Sequence, residues 1–159
     1  MKACLEITYT PQGAWTPEAL MAALAQAATD HANELGIGHD EMVERYGCLW
    51  MLVRSRIAMR LLPPGEPLTV RTWLRRPSPA MSVRDYEFVR EGEIVGRGLQ
   101  YWVLASEKER RIVGMRDISA AVPFDVLRVE GCGQHAQSFA ERRGQAIRHR
   151  RHGDLPGRH

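Results

Sequence analysis

No uninterrupted apolar stretch in this chain approaches the roughly 20 residues that a bilayer-spanning helix requires. The first residues, MKACLEITYT, alternate like a strand and carry none of the apolar core of a signal peptide. Cysteine is scarce: Cys4, Cys48 and Cys132 make an odd number at no metal-ligand spacing. These observations argue against a membrane-spanning chain, a disulfide scaffold and a metal module, and the expectation is a reduced, cytoplasmic protein. No internal repeat is present, and biased composition is confined to the basic tail. Residues 142–159 hold six arginines and three histidines against one aspartate, within a net charge of only +3. That tail is either a solvated end or a surface for an acidic partner. Its arginines have no interleaved aromatics, so no nucleic-acid partner is expected.

What is present fits one globular domain. The 159 residues are 44% hydrophobic, enough for a core of ordinary size. The stretch Trp15 to Gly38, WTPEALMAALAQAATDHANELGIG, reads as one helix with defined ends. Thr16 is the expected N-cap, Pro17 suits the first turn, and Gly36 and Gly38 supply the stop. Leu20, Leu24, Ala27, His31 and Leu35 recur at helical spacing and form its apolar face. Its many alanines would let another backbone approach closely, so the helix is expected at the centre of the fold.

Around it the chain reads as strands. Residues 2–10 alternate, and 39–47 form a shorter helix that Asp40 is expected to cap. Residues 48–62 form a long strand in partial alternation, and PPGEP breaks the pattern. Residues 68–76 alternate almost perfectly, and 81–90 and 94–106 are further strands joined at Glu91-Gly92-Glu93. Gly96 and Gly98 suggest a bulge or a close backbone contact. The order predicts an α+β fold in which a curved antiparallel sheet wraps a long central helix. Residues 1–130 are expected to form that domain and 131–159 a basic extension.

An ordered set of motifs resembles the acyl-acyl carrier protein thioesterases. Ala28, His31, Leu35 and Gly36 come first, then Trp50 to Arg54, a proline turn and Thr72-Trp73. Arg84-Asp85-Tyr86-Glu87, the Gly92 turn, Tyr101 to Leu104 and Arg110-Arg111 complete it, over about residues 5–118. The resemblance implies a hotdog fold, and it is to the first of two tandem hotdogs. The family's reacting residues sit in the second, around an Asp-x-Asn-x-His motif, and residues 152–159 look like its opening. The aspartate usual after the Trp-x-Leu strand is Ala105 here.

That resemblance implies a hydrolase of fatty acyl thioesters, with acyl carrier protein or coenzyme A as the carrier and no metal or cofactor. Hotdog enzymes generally take oxyanion donors from backbone amides at the start of the central helix, which here means Gly13 to Ala19. Gln26, Asp30 and Asn33 fall at i, i+4 and i+7, so they share a helix face. Gln26 can orient a water and Asp30 can deprotonate it, or these are solvated polar residues. His31 is either a core histidine bonded to a backbone carbonyl or a substrate contact. Trp50, Trp73 and Trp102 either line an acyl pocket or fill the core. Arg54, with Arg71, Arg75 and Arg76, either receives a phosphopantetheine phosphate or an acidic carrier, or is solvated. Cys48 reads as buried and inert. A single hotdog leaves a sheet edge open, so a homodimer with sites at its interface is expected. The alternative is a non-catalytic acyl-binding or regulatory hotdog.

Overall fold

The computed structural model describes residues 4–75 and 78–115. The basic tail, the expected boundary near residue 130, Cys132 and Arg76 lie outside them. The elements run β1 (Cys4–Tyr9), α1 (Pro17–Glu34), α2 (His39–Tyr46), β2 (Cys48–Met59), β3 (Leu68–Leu74), β4 (Ser82–Arg90), β5 (Glu93–Ser106) and β6 (Ile112–Val113).

Helix α1 starts where its capping chemistry dictates. Thr16 is extended and its side chain accepts the Ala19 N–H at 3.1 Å. Pro17 follows at a position where a missing N–H costs nothing. At the far end Gly36 takes a left-handed turn at φ +72°, which stops the helix after Glu34. The α2 cap differs from expectation. Gly38 holds the cap position with no side-chain bond, and Asp40 sits inside the first turn, 3.0 Å from His39 Nδ1. A Cβ at position 38 would collide with Asn33 Oδ1, so glycine is the residue that fits there.

All strand pairs are antiparallel, in the order β1-β3-β4-β5-β2, with β6 added to β5. Strand β2 ends at Met59, short of the expected 62. Leu52 pairs with Trp102 but Arg54 with Tyr101, so Val53 is an extra, bulged residue. That bulge is why the alternation along β2 is only partial. The β4–β5 hairpin turns on Glu91 (φ 50°) and Gly92 (φ 79°), the two positive φ values of a type I′ turn.

Helix α1 buries Leu20, Ala23, Leu24, Ala27, Ala28 and His31. Two apolar clusters result. One joins Leu20, Leu24 and Ala27 to Leu68, Val70, Tyr86, Phe88 and Val95. The other joins Leu35, Ile37 and Met42 to Cys48, Leu74, Leu104 and Met115. Along α1 and along β3, one polar residue stands between the members of the two clusters: His31 on the helix and Thr72 on the strand. Among the described residues, no helix is long and apolar enough to cross a membrane. Cys48 is a free, buried thiol, as expected, but Cys4 is disulfide-bonded. The cysteine count could not reveal this, because it does not report which sulfurs the fold brings together.

Gly96 marks the tightest approach of β5 to β2. A Cβ there would lie 2.5 Å from the Ala58 carbonyl oxygen and 2.8 Å from Met59 Cα, both backbone atoms that cannot swing aside. Gly96→Ala is therefore expected to destabilise the fold by about 1–3 kcal/mol. Gly13→Ala, with nothing within 4 Å of the added methyl, is expected to stay within about 0.5 kcal/mol of wild type. Urea denaturation of the two variants checks the contrast.

Candidate active site

Two concave regions flank α1, and they differ in chemistry. The first is an open groove along the first half of the helix, walled by the chain from Tyr9 to Thr16 and by Ala19, Ala22, Ala23 and Gln26. Its wall is pinned from outside: the Gly65 N–H donates to the Gly13 carbonyl at 2.8 Å, and Trp15 Nε1 donates to the Glu66 carbonyl at 2.8 Å. Gln26 Nε2 donates to Asp30 Oδ1 at 2.8 Å, so the i, i+4 pair is formed. Using its nitrogen on Asp30 leaves the Gln26 carbonyl oxygen to hold a water. Asn33 does not join them; its side chain is drawn away to Gly38.

Tyr9 lines this groove, although its place in the sequence marks it only as a strand residue. Its hydroxyl is buried with no hydrogen-bond partner among the described residues. Burial, and secondarily the negative charge of Asp30, raise its pKa, so the phenol keeps its proton. The alternation of β1 put Tyr9 on the face of Leu5 and Ile7, which was the available signal.

Of the amides expected as oxyanion donors between Gly13 and Ala19, two are already bonded. The Thr16 N–H bonds the Ala14 carbonyl, and the Leu20 N–H bonds the Thr16 carbonyl. Ala19 is taken by the cap, and Pro17 has no N–H. The amides of Gly13, Ala14, Trp15 and Glu18 have no partner among the described residues. The cap that defines the helix takes the Ala19 amide and leaves these to an oxyanion.

The second region is a cavity of about 210 Å³ between α1, the start of α2 and strands β2, β3, β4 and β5. Ala28, Ala32, Ile37, Leu74, Trp50 and Trp102 give it apolar walls, and Ser82 and Arg84 are its buried polar groups. Trp50 and Trp102 thus share one cavity, with Trp50 Nε1 donating to the Ile37 carbonyl at 2.8 Å. Trp73 does not join them. It alternates with Leu74, which lines the cavity, and so is buried on the other face of β3. Arg54 is exposed on β2.

His31 is fully buried, and one of its side-chain partners is an arginine. Arg84 Nη1 lies 2.9 Å from His31 Nδ1 and donates to Thr72 Oγ1 at 3.0 Å. Arginine can only donate, so Nδ1 is the acceptor and carries no proton. The Thr72 hydroxyl donates in turn to the Asp85 carbonyl at 3.0 Å. Desolvation lowers the Arg84 pKa to about 10, leaving it charged at neutral pH. Beside it, Tyr86 donates to Gln100 Oε1 at 2.6 Å, and Gln100 Nε2 donates to Ser55 at 3.1 Å. Sequence reading missed Arg84, Ser82 and Gln100 as site residues. The signal was present on β4: Ser82, Arg84, Tyr86 and Phe88 share a face, and the two aromatics mark that face as core.

The chain matches the family described as the acyl-ACP thioesterase N-terminal domain over residues 11–121. Among solved structures, an acyl-ACP thioesterase from Bacteroides thetaiotaomicron superposes with a TM-score of 0.69 at 20% identity, covering 86% of this chain and 58% of that one. The 12:0-ACP thioesterase from Umbellularia californica gives 0.67 at 18%, covering 82% and 56%. A DHNA-CoA thioesterase from Staphylococcus aureus gives 0.63 at 17%, covering 92% and 94%. The chain therefore spans just over half the length of the first two. No curated protein is a significant sequence match. The shared architecture is the hotdog, α+β with the long helix against an antiparallel sheet.

The polar layer beside His31 can be tested through Tyr86. Burial raises its pKa well above the ordinary tyrosine range, against a smaller opposing effect of Arg84. Near neutral pH, Tyr86→Phe should cost about 1–3 kcal/mol, because Gln100 loses its donor. Above about pH 10 the unfolded phenol ionises while the folded one does not, so wild type loses this stabilisation as pH rises. The cost of Tyr86→Phe should then shrink by about 1.4 kcal/mol per pH unit. Urea denaturation at about pH 8 and about pH 11 reads the difference.

Proposed function

Because the chain belongs to the acyl-ACP thioesterase family through that N-terminal domain, we propose that it hydrolyses fatty acyl thioesters of acyl carrier protein or coenzyme A. The observation that carries the proposal is the Gln26–Asp30 pair, bonded at 2.8 Å on α1 next to the groove that Tyr9 and Gln26 line. A water held on Gln26 Oε1 gives its proton to the Asp30 carboxylate and attacks the thioester carbonyl carbon. The Tyr9 hydroxyl, protonated and without a partner among the described residues, donates to the developing oxyanion alongside the amides left unbonded at the start of α1. The tetrahedral intermediate collapses, the C–S bond breaks, and the thiolate leaves with the proton from Asp30. The products are a fatty acid and a free thiol, and no cofactor or metal enters the scheme.

Strand β2 supports the expected homodimer. It is a 12-residue edge strand, and Met51, Leu52 and Val53 are exposed at 49%, 39% and 52%. Long apolar edges are pairing templates, and a second copy would close this one. Val53→Lys is expected to shift the sedimentation coefficient from dimer to monomer; a wild type that sediments as a monomer refutes the assembly.

Thiol release from acyl-coenzyme A and acyl-carrier-protein substrates tests the chemistry. Asp30→Asn is expected to lower kcat at least about 100-fold, and Tyr9→Phe roughly 100-fold. Full activity in Asp30→Asn would remove Asp30 from the mechanism. Tight thioester binding with no thiol release from folded wild type would select the acyl-binding, non-catalytic reading.

A further inference from the structure

In the sequence, PPGEP marks only a break after β2; in the structure it is tied to the groove at the start of α1. Pro63, Pro64 and Pro67 each fix their own φ, and Gly65 takes a left-handed φ of +75°. Two bonds run from this stiff turn to the loop between β1 and α1. The Gly65 N–H donates to the Gly13 carbonyl, and Trp15 Nε1 donates to the Glu66 carbonyl, each at 2.8 Å. The Glu66 carboxylate is held in turn by Arg90 at the end of β4, with Nη2 at 3.1 Å and Nε at 3.2 Å. Trp15 also packs its ring against the cluster of Leu20, Leu24 and Phe88. Arg90, Glu66 and Trp15 thus form one line of contacts from β4 to the groove wall.

The loop needs an outside hold. Residues 10–16 lie outside any helix or strand, so no ladder fixes them. Gly13, Ala14 and Trp15 carry amides with no partner among the described residues, so bonds of their own do not set their direction. An amide dipole helps a developing oxyanion only when it is already aimed, because turning it during the reaction costs what it would supply. The Ala14 carbonyl is bonded within the loop, to the Thr16 N–H. The Gly13 carbonyl and the Trp15 indole reach outside it, and both reach the turn.

We propose that the Pro63–Pro67 turn is a positioning element of this site, with Trp15 and Arg90 as positioning residues that aim the Gly13–Trp15 amides at the thioester carbonyl. Its chemical consequence rests on the hydrolysis proposed above; the hold of the turn on the loop rests on the contacts alone.

Trp15→Phe keeps an aromatic ring on the cluster and removes the N–H that reaches Glu66. Arg90→Gln releases the Glu66 carboxylate from the far end. One readout is hydrogen exchange of the Gly65 amide by NMR, because its acceptor is on the loop, with the Leu99 amide inside the sheet as control. The other is thiol release from acyl-coenzyme A. Each variant is expected to speed Gly65 exchange at least about tenfold and leave Leu99 unchanged. Trp15→Phe should lower kcat about 10- to 100-fold with KM within about twofold, and Arg90→Gln should lower kcat at least about threefold. Because Arg90 acts through Glu66 on Trp15, the double variant should fall no further than Trp15→Phe alone, whereas two unrelated packing defects would add. Gly65 exchange at the wild-type rate, a loss carried by KM, an unchanged kcat or additive losses overturns the proposal. A wild type that releases no thiol fails the hydrolysis reading instead; faster Gly65 exchange in the variants then still supports the hold on the loop, and unchanged exchange overturns it. Should Trp15→Phe fail to fold, Arg90→Gln decides by the same two readouts.

Discussion

The fold depends on a charge buried between the sheet and the central helix, where Arg84 is 3% exposed. Arg84 spans from the sheet to α1 and meets His31 between the two apolar clusters. Taking a guanidinium out of water costs several kcal/mol even after relaxation. The structure offsets that with neutral acceptors of fixed direction. Thr72 both accepts from Arg84 and donates to the Asp85 carbonyl, so its hydroxyl is satisfied twice. A purely apolar interface would tolerate sliding of the helix; one directional bond from helix to strand does not. The polar layer therefore sets the position of α1, and with it the positions of Asp30, next to His31 in the chain, and Gln26, just over one turn before it.

The outer face of the sheet shows the complementary solution. Register brings Glu6 opposite Arg71, Arg71 opposite Glu87, and Glu87 opposite Arg97. Glu6 and Arg71 pair at 2.6 Å, Glu87 and Arg97 at 3.7 Å. Partly exposed pairs of this kind contribute little energy each. Their effect is on specificity: a one-residue slip would bring this charged row onto the helix side. One face is thus reserved for α1, which is what makes a single helix on a single sheet sufficient.

The two concave regions follow from how α1 lies on that sheet. Along its first half the alanines leave room for a groove beside the Tyr9–Thr16 chain, rimmed by a carboxylate, an amide and a neutral phenol. Near its end the same small residues leave a second space, walled by Trp50 and Trp102 and carrying the Arg84 guanidinium. The first arrangement suits proton transfer. Small side chains on one helix create both, and the neighbouring strands decide what each can hold.

Much of this was legible in the chain. Thr16, Pro17 and Gly36 set the helix ends because capping is local chemistry, decided within a few residues. The alternation in 68–74 and 82–90 set the strands and their faces, and the Glu91-Gly92 turn set one hairpin. The slip at Val53, the change of cap from Asp40 to Gly38 and the departure of Asn33 from its helix neighbours were not legible. Each arises from a contact with a residue distant along the backbone or across the sheet. The same holds for the sites. Sequence alone determined that Gln26 and Asp30 would meet, since four residues along a helix fix the distance. Only the tertiary structure decided that Tyr9 stands near Asp30, that Trp73 is turned away from Trp50 and Trp102, and that Arg84 is buried against His31. Those are meetings between separate elements, and strand register and helix packing, not spacing along the chain, set them.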